Sequence, residues 1–215
     1  MPQVARQQVV RPAAVARGDL GDRAHQALHP RQQAHLGRSG SVPLADGQDA
    51  FAARVSLADA AQGSLDVQTY IWRNDITGGM LFAAMRRAAD RGVRVRLLLD
   101  DLNTGGLDPV LAALDAHPGI EVRLFNPFPN RTLRLLDYLT DFSRVNRRMH
   151  NKSFTADNQV TIIGGRNIGD EYFDAGAGVL FVDLDVLAVG PVVPQVSRDF
   201  DRYWGSLSAY PLTQL

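Results

Sequence analysis

His150 and Lys152 stand two residues apart, Asp157 follows Lys152 after four residues, and Gly164-Gly165-Arg166-Asn167 closes the pattern. The run from His150 to Thr155 reads as a strand, so His150 and Lys152, at i and i+2, leave the same face of a sheet. There the imidazole can attack phosphorus while the ammonium, a compact point charge, holds a non-bridging oxygen. Asn167 can add a hydrogen bond to the same phosphate. Asp157-Asn158 fits a tight turn between two strands, which makes Asp157 the holder of the turn rather than a reacting group. Gly164 and Gly165 follow the apolar return strand Val160-Thr161-Ile162-Ile163, and their missing side chains let backbone approach a ligand closely. The spacing therefore points to phosphodiester chemistry carried by one strand–turn–strand unit, with residues 145–172 as its core.

The elements that position this unit can be read from periodicity. Residues Asp49–Ala61 carry apolar side chains at helical spacing. Ser64–Ile71 alternates as a strand, and Gly79–Asp90 is a helix ending at Arg91-Gly92, a good C-cap. Val93–Leu99 is a second strand that turns fully apolar, as a buried parallel strand does. Leu107–Ala116 is a helix stopped by His117-Pro118-Gly119, and Ile120–Phe125 is a third strand. Leu133–Phe142 reads as a short helix, Val179–Ala188 as a strand, and Pro191–Trp204 as a closing helix with Pro191 near its first turn. Strands alternating with helices predict an α/β fold with a largely parallel core sheet. Residues 1–38 have a different texture, rich in Arg, Gln, Ala and His with little periodicity, and read as a poorly ordered tail before a single domain over 39–215.

Composition narrows the function classes. A chain of 215 residues with 45% hydrophobic content can pack one good-sized domain. Lys+Arg 23 balance Asp+Glu 23, so no general attraction to polyanions is implied, which counts against a non-specific nucleic-acid binder. The absence of cysteine excludes disulfides and cysteine-based zinc sites. No apolar run reaches the roughly 18–20 residues of a membrane span, and the N-terminus lacks a signal peptide's apolar core.

The pattern His150-x-Lys152-x4-Asp157-x6-Gly164-Gly165-x-Asn167 resembles the signature of the phospholipase D superfamily. From about Ser39 to Leu212 the chain is similar to the N-terminal half of bacterial cardiolipin synthases of the C type. The similar stretches are Ser64 to Trp72, Leu97 to Gly106, Gly164 to Phe173, and Asp199 to Trp204. The resemblance implies a phospholipase D-like α-β-α sandwich, one half of a bilobal enzyme whose two motif-bearing halves form one site. It implies transfer of phosphatidyl groups without cofactor or metal, through a phosphohistidine at His150, with Lys152 and Asn167 on the phosphoryl oxygens. Asp183 aligns with an acidic residue that receives the other ring nitrogen, and Asp185 is its rival. The implied partner is a phosphatidylglycerol-like phospholipid. The implied setting is cytoplasmic or peripheral at the bacterial inner membrane.

The motif occurs once, whereas the superfamily's site needs two sets. In-line displacement puts the leaving oxygen opposite the nucleophile, so one imidazole does not serve both ends in one step. His25, His29, His35 and His117 all lack a lysine two residues on. A second set is expected from a homodimer partner or from a missing second half. Three readings follow: a cardiolipin synthase-like module, a homodimeric phosphodiesterase or nuclease, and an inactive truncated product. Weaker features are Asp100-Asp101, which shape a loop or, less readily, hold a metal, and Arg147-Arg148, which steer an anionic head group or merely form a solvated turn. Trp72 either lines the substrate pocket or packs in the core.

Overall fold

The computed structural model describes residues 37–128, 147–176 and 180–215. The expected tail lies outside the described residues up to position 36, as does the helix expected over Leu133–Phe142. The described elements are β1 (Gly40–Leu44), α1 (Gly47–Ala60), β2 (Ser64–Ile71), α2 (Ile76–Asp90), β3 (Arg94–Asn103), α3 (Asp108–Asp115), β4 (Ile120–Phe125), β5 (Ser153–Ala156), β6 (Val160–Gly164), β7 (Asp185–Val189), α4 (Val193–Trp204) and β8 (Ala209–Pro211). They build one sheet in the order β1-β7-β6-β5-β2-β3-β4-β8.

Local chemistry sets the helix boundaries. Asp46 caps α1 by accepting from Asp49 N–H at 3.0 Å, and Asp75 caps α2 by accepting from Gly78 N–H at 2.9 Å. At the other end of α2, Gly92 adopts φ +94°, and Gly92 and Val93 donate back to Ala89 and Ala88, a glycine-terminated end that matches the expected C-cap. The closing helix starts two residues later than expected, with Pro194 rather than Pro191 in its first turn.

Side-chain alternation in β3 separates the two faces of the sheet. Leu97 and Leu99 join the large core formed with Leu81 and Met85 of α2, whereas Leu98 packs with Phe200 and Trp204 of α4. Helices thus cover both faces, and the fold is the expected α-β-α sandwich. The sheet is less parallel than expected: only β2–β3 and β3–β4 pair in parallel, and the outer strands are antiparallel. The hairpin β5–β6 returns directly, whereas α1 links β1 to β2 and α4 links β7 to β8 across the sheet.

The strand expected over Val179–Ala188 begins only at Asp185. Both of its neighbours end there, since Leu44 of β1 and Gly164 of β6 each stand opposite Asp185, and the preceding residues have no ladder to join. Strand β1 went unread because Pro43 breaks its pattern, and it is an edge strand, where a missing N–H is tolerated. Among the described residues no helix is long and apolar enough to cross a membrane.

Candidate active site

His150 sits just ahead of β5, on an extended segment rather than within the strand itself. Asp100, buried at the end of β3, pegs that segment down. It accepts from Met149 N–H at 2.7 Å, from Arg148 at 3.0 Å, and from Leu102 N–H at 2.9 Å. Burial pushes the Asp100 carboxyl above its ordinary range, while these donors pull it back. Asp101 accepts from the Phe128 N–H and from the Thr104 hydroxyl. The acidic pair therefore shapes the loop that carries the histidine. Arg148 is drawn inward onto Asp100 and the Asn126 carbonyl, not outward toward a head group.

The expected pairing of His150 with Lys152 is present. Lys152 Nζ lies 3.2 Å from His150 Nδ1 and donates to the His150 carbonyl oxygen at 2.8 Å. The ring of Tyr70, from β2, stands 4.6 Å from the imidazole centroid and 5.5 Å from Lys152 Nζ. His150 is exposed, whereas Lys152 is only 9% exposed. Burial lowers the Lys152 pKa, and the charges of Asp183 and Asp185 oppose that shift. The two side chains open onto a cleft of about 510 Å³ between the sheet and α4, whose wall includes Gln68, Asn151, Ser153, Gly164, Asp199 and Arg202. A cation in a half-enclosed mouth beside an exposed imidazole can hold an anionic oxygen within reach of a nucleophile.

A family model described as cardiolipin synthase, PLD-like domain, matches residues 55–204. The chain belongs to this family. Cardiolipin synthase C of Escherichia coli (strain K12) is 61% identical over 189 residues, covering 88% of this chain and 40% of that protein. The chain thus spans well under half the length of that relative. Among solved structures, NucT from Helicobacter pylori aligns with a TM-score of 0.61 at 14% identity, covering 81% of this chain and 99% of that one. Nuc from Salmonella typhimurium, a phospholipase D family member, aligns with a TM-score of 0.57 at 17% identity, covering 81% and 98%. At those identities the likeness is one of fold.

Other expected site residues of this PLD-like domain fall in different places. Asp157 is at the far end of β5, in a turn where it and Asn158 both have φ +53°. Its carboxylate accepts from the N–H groups of Gln62, Gly63 and Ser64, at 3.0, 2.7 and 2.9 Å. It ties the β5–β6 turn to the start of β2, as the turn-holding reading requires. Replacing Asp157 with alanine strips three backbone donors of their acceptor and is expected to lower stability by about 1–3 kcal/mol. Urea unfolding checks this, and a midpoint equal to wild type would contradict it.

Gly164 and Gly165 are both approached closely by protein, Gly164 by backbone and Gly165 by the Asp183 side chain. A Cβ on Gly164 would stand 2.5 Å from the Leu184 carbonyl oxygen, and one on Gly165 would stand 2.5 Å from Asp183 Cγ. Gly164 also lines the cleft, whereas Gly165 and Asn167 do not. Asn167 is buried, and its carbonyl oxygen accepts from Ile71 N–H at 3.1 Å, which ties the glycine turn to the end of β2.

Asp183 makes no hydrogen bond to the His150 ring. Its carboxylate accepts from the N–H of Leu184 at 2.8 Å and covers Gly165, contributing charge near Lys152. Its rival Asp185 does not face the ring either. It is fully buried and binds Arg54 at 2.9 Å and Arg166 N–H at 3.2 Å. The alternation that singled out both carboxylates fails because residues 180–184 are not strand. Trp72 is a second correction. It is 2% exposed and stacks on Phe82 with centroids 4.3 Å apart, so it belongs to the core and not to a substrate pocket.

Gln68, Tyr70, Asn151, Ser153, Asp199 and Arg202 went unread. The available signal was the stripe Asp66, Gln68, Tyr70, polar at alternate positions of a strand that sets Leu65, Val67 and Ile71 on its other face. The lowered Lys152 pKa yields a pH test. The ammonium is lost below its ordinary 10.5, so phosphate affinity is expected to fall as pH rises through that lowered value. In the same window the unfolded chain holds a proton the native chain has released, so this residue's contribution to stability rises with pH. Phosphate titrations from neutral pH to 10.5 check this, with Lys152→Arg expected to keep its affinity to higher pH. Affinity undiminished at the upper end in wild type would overturn it.

Proposed function

We propose that this domain is a phosphatidyltransferase or phosphodiesterase module that works through a phosphohistidine at His150. The contact of Lys152 Nζ with the His150 ring at the mouth of a cleft, in a member of the cardiolipin synthase PLD-like family, carries this reading. An arriving phosphodiester draws the Lys152 ammonium from Nδ1 onto a non-bridging oxygen. The imidazole then attacks phosphorus. The new nitrogen–phosphorus bond forms as the bond to the leaving alcohol's oxygen breaks, and that oxygen takes a proton from an acid on the opposite side. A second alcohol, or water, reverses the sequence: it loses its proton to the same group and displaces the histidine. Asn167 braces the glycine turn from behind, its side-chain oxygen accepting from the Ile71 N–H.

The opposing acid and a second cation come from another histidine–lysine set, provided by a further segment of the protein or by a second copy of this domain. The substrate is a phosphatidylglycerol-like lipid, met by peripheral contact with a membrane. A homodimeric single-motif phosphodiesterase is the second reading. The near-complete overlap of this lobe with the chains of NucT and Nuc favours it.

The test is a lipid-exchange assay on monomer and dimer fractions separated by size-exclusion chromatography. The monomer is expected to be silent, since losing the acid alone forfeits about 10²–10⁴ in rate. Turnover is expected only where two sets meet. Robust His150-dependent turnover by a strict monomer would contradict the two-set mechanism.

A further inference from the structure

The His150 imidazole is exposed on an extended segment ahead of β5, so its orientation depends on what touches the ring. Lys152 Nζ meets Nδ1 at 3.2 Å. The phenol ring of Tyr70, half-buried in β2, also stands against the imidazole, with centroids 4.6 Å apart and planes tilted by 48°. At that separation and tilt, aromatic rings attract one another through their quadrupoles. The same phenol ring lies 5.5 Å from Lys152 Nζ, within reach of a cation–π attraction. Tyr70, His150 and Lys152 thus form a closed triangle in which each member lies against the other two.

The sheet is irregular where this triangle is set. Up to Thr69, β2 pairs with β3 residue for residue and Thr69 stands opposite Leu99, but Ile71 stands opposite Asn103. Two extra residues of β3 are taken up across from Tyr70. Such bulges re-aim side chains and recur beside active sites. Asp100 lies in the extra stretch, and it is the carboxylate that holds the Met149 N–H just ahead of the histidine. One distortion of the sheet therefore sets both the ring that faces the imidazole and the peg for its backbone.

The two contacts of the imidazole do not fare alike in the reaction proposed above. An arriving phosphodiester takes the Lys152 ammonium off Nδ1. The imidazole would then be free to turn at the moment it must point at phosphorus. The Tyr70 contact is one of ring against ring, which a phosphate oxygen does not replace.

We propose that Tyr70 is a positioning residue: its ring holds the His150 imidazole in the attacking orientation once Lys152 has turned to the phosphate, and keeps the ammonium beside it. The proposal rests on the phosphodiester reading and adds to it the group that orients the nucleophile.

The experiment follows the 215-residue chain and its Tyr70→Phe and Tyr70→Leu variants by NMR as inorganic phosphate is added. In wild type, phosphate is expected to move the His150 ring resonances, while nuclear Overhauser contacts between the Tyr70 and His150 rings persist at saturation. Tyr70→Phe is expected to keep those contacts. Tyr70→Leu removes a ring current and is expected to shift the His150 ring protons before any phosphate is added. In the assembly that provides both histidine–lysine sets, Tyr70→Leu is expected to lower kcat about 10- to 100-fold, as slight misplacement of a reacting group does, with KM changed far less. Tyr70→Phe is expected to recover most of that loss. Ring contacts that vanish at saturating phosphate overturn the proposal, as does a Tyr70→Leu kcat equal to wild type. If phosphate leaves the His150 resonances unmoved, the phosphodiester reading itself fails and the role of Tyr70 falls with it. If phosphate moves them and the ring contacts vanish, only the role of Tyr70 fails.

Discussion

Asp185→Ala is expected to cost about 3–5 kcal/mol of stability. Asp185 is fully buried, and Arg54, also buried, binds it at 2.9 Å. Without the carboxylate, Arg54 keeps the Ala50 carbonyl oxygen and the face of Phe173, neither of which carries a full negative charge. Burial already lowers the Arg54 pKa, and the Asp185 charge is what opposes that shift. Arg166 fares better, because it retains the carbonyl oxygens of Leu44, Ala45 and Tyr172. The reverse change, Arg54→Met, is therefore expected to be milder, since Arg166 remains 3.6 Å from Asp185. Set against the roughly 5–15 kcal/mol that holds a typical domain together, the Asp185 variant forfeits a large share. Urea unfolding of the two variants measures the asymmetry. An Asp185→Ala midpoint close to wild type would show that the buried cluster is not what secures the ends of β1, β6 and β7.

The second large effect concerns rate. In an assembly that provides both histidine–lysine sets, His150→Ala is expected to lower turnover by about 10⁴–10⁶-fold, as loss of a nucleophile does elsewhere. Lys152 and the cleft would still bind a phosphodiester, so the loss should fall on kcat with little change in KM. Wild type incubated with a phosphorus-labelled lipid and quenched in alkaline denaturant should carry label that is released by mild acid, and the variant should carry none. A loss confined to about 10²-fold would assign His150 to proton transfer and move the nucleophile elsewhere.

Much of this site was legible because local spacing dictates it. His150 and Lys152 are two residues apart on an extended segment, so their side chains meet whatever surrounds them. Asp157-Asn158 between two apolar runs specifies a hairpin turn, and strands Ser64–Ile71 and Ile120–Phe125 match their expected limits because alternation or apolar runs ended at clear breakers. Nothing comparable announced Asp183 and Asp185. Both stand in an alternating run, yet only one is buried, because the ladder that would have extended the strand stops at Leu44 and Gly164.

The sequence by itself determined the alternation of strands and helices and the identity of the histidine–lysine pair, since each is a matter of residue type at short separation, and the motif's resemblance to a known family implied the α-β-α layering. Only the tertiary structure decided which carboxylates serve the fold, that Trp72 belongs to the core, and that Gln68, Ser153 and Asp199 share one cleft. Ser153 and Asp199 are 46 positions apart, and they come together only because α4 crosses the face of the sheet that β5 presents to it. Long-range packing of that kind depends on which face of each element is buried against which neighbour, and no local pattern encodes the choice of neighbour.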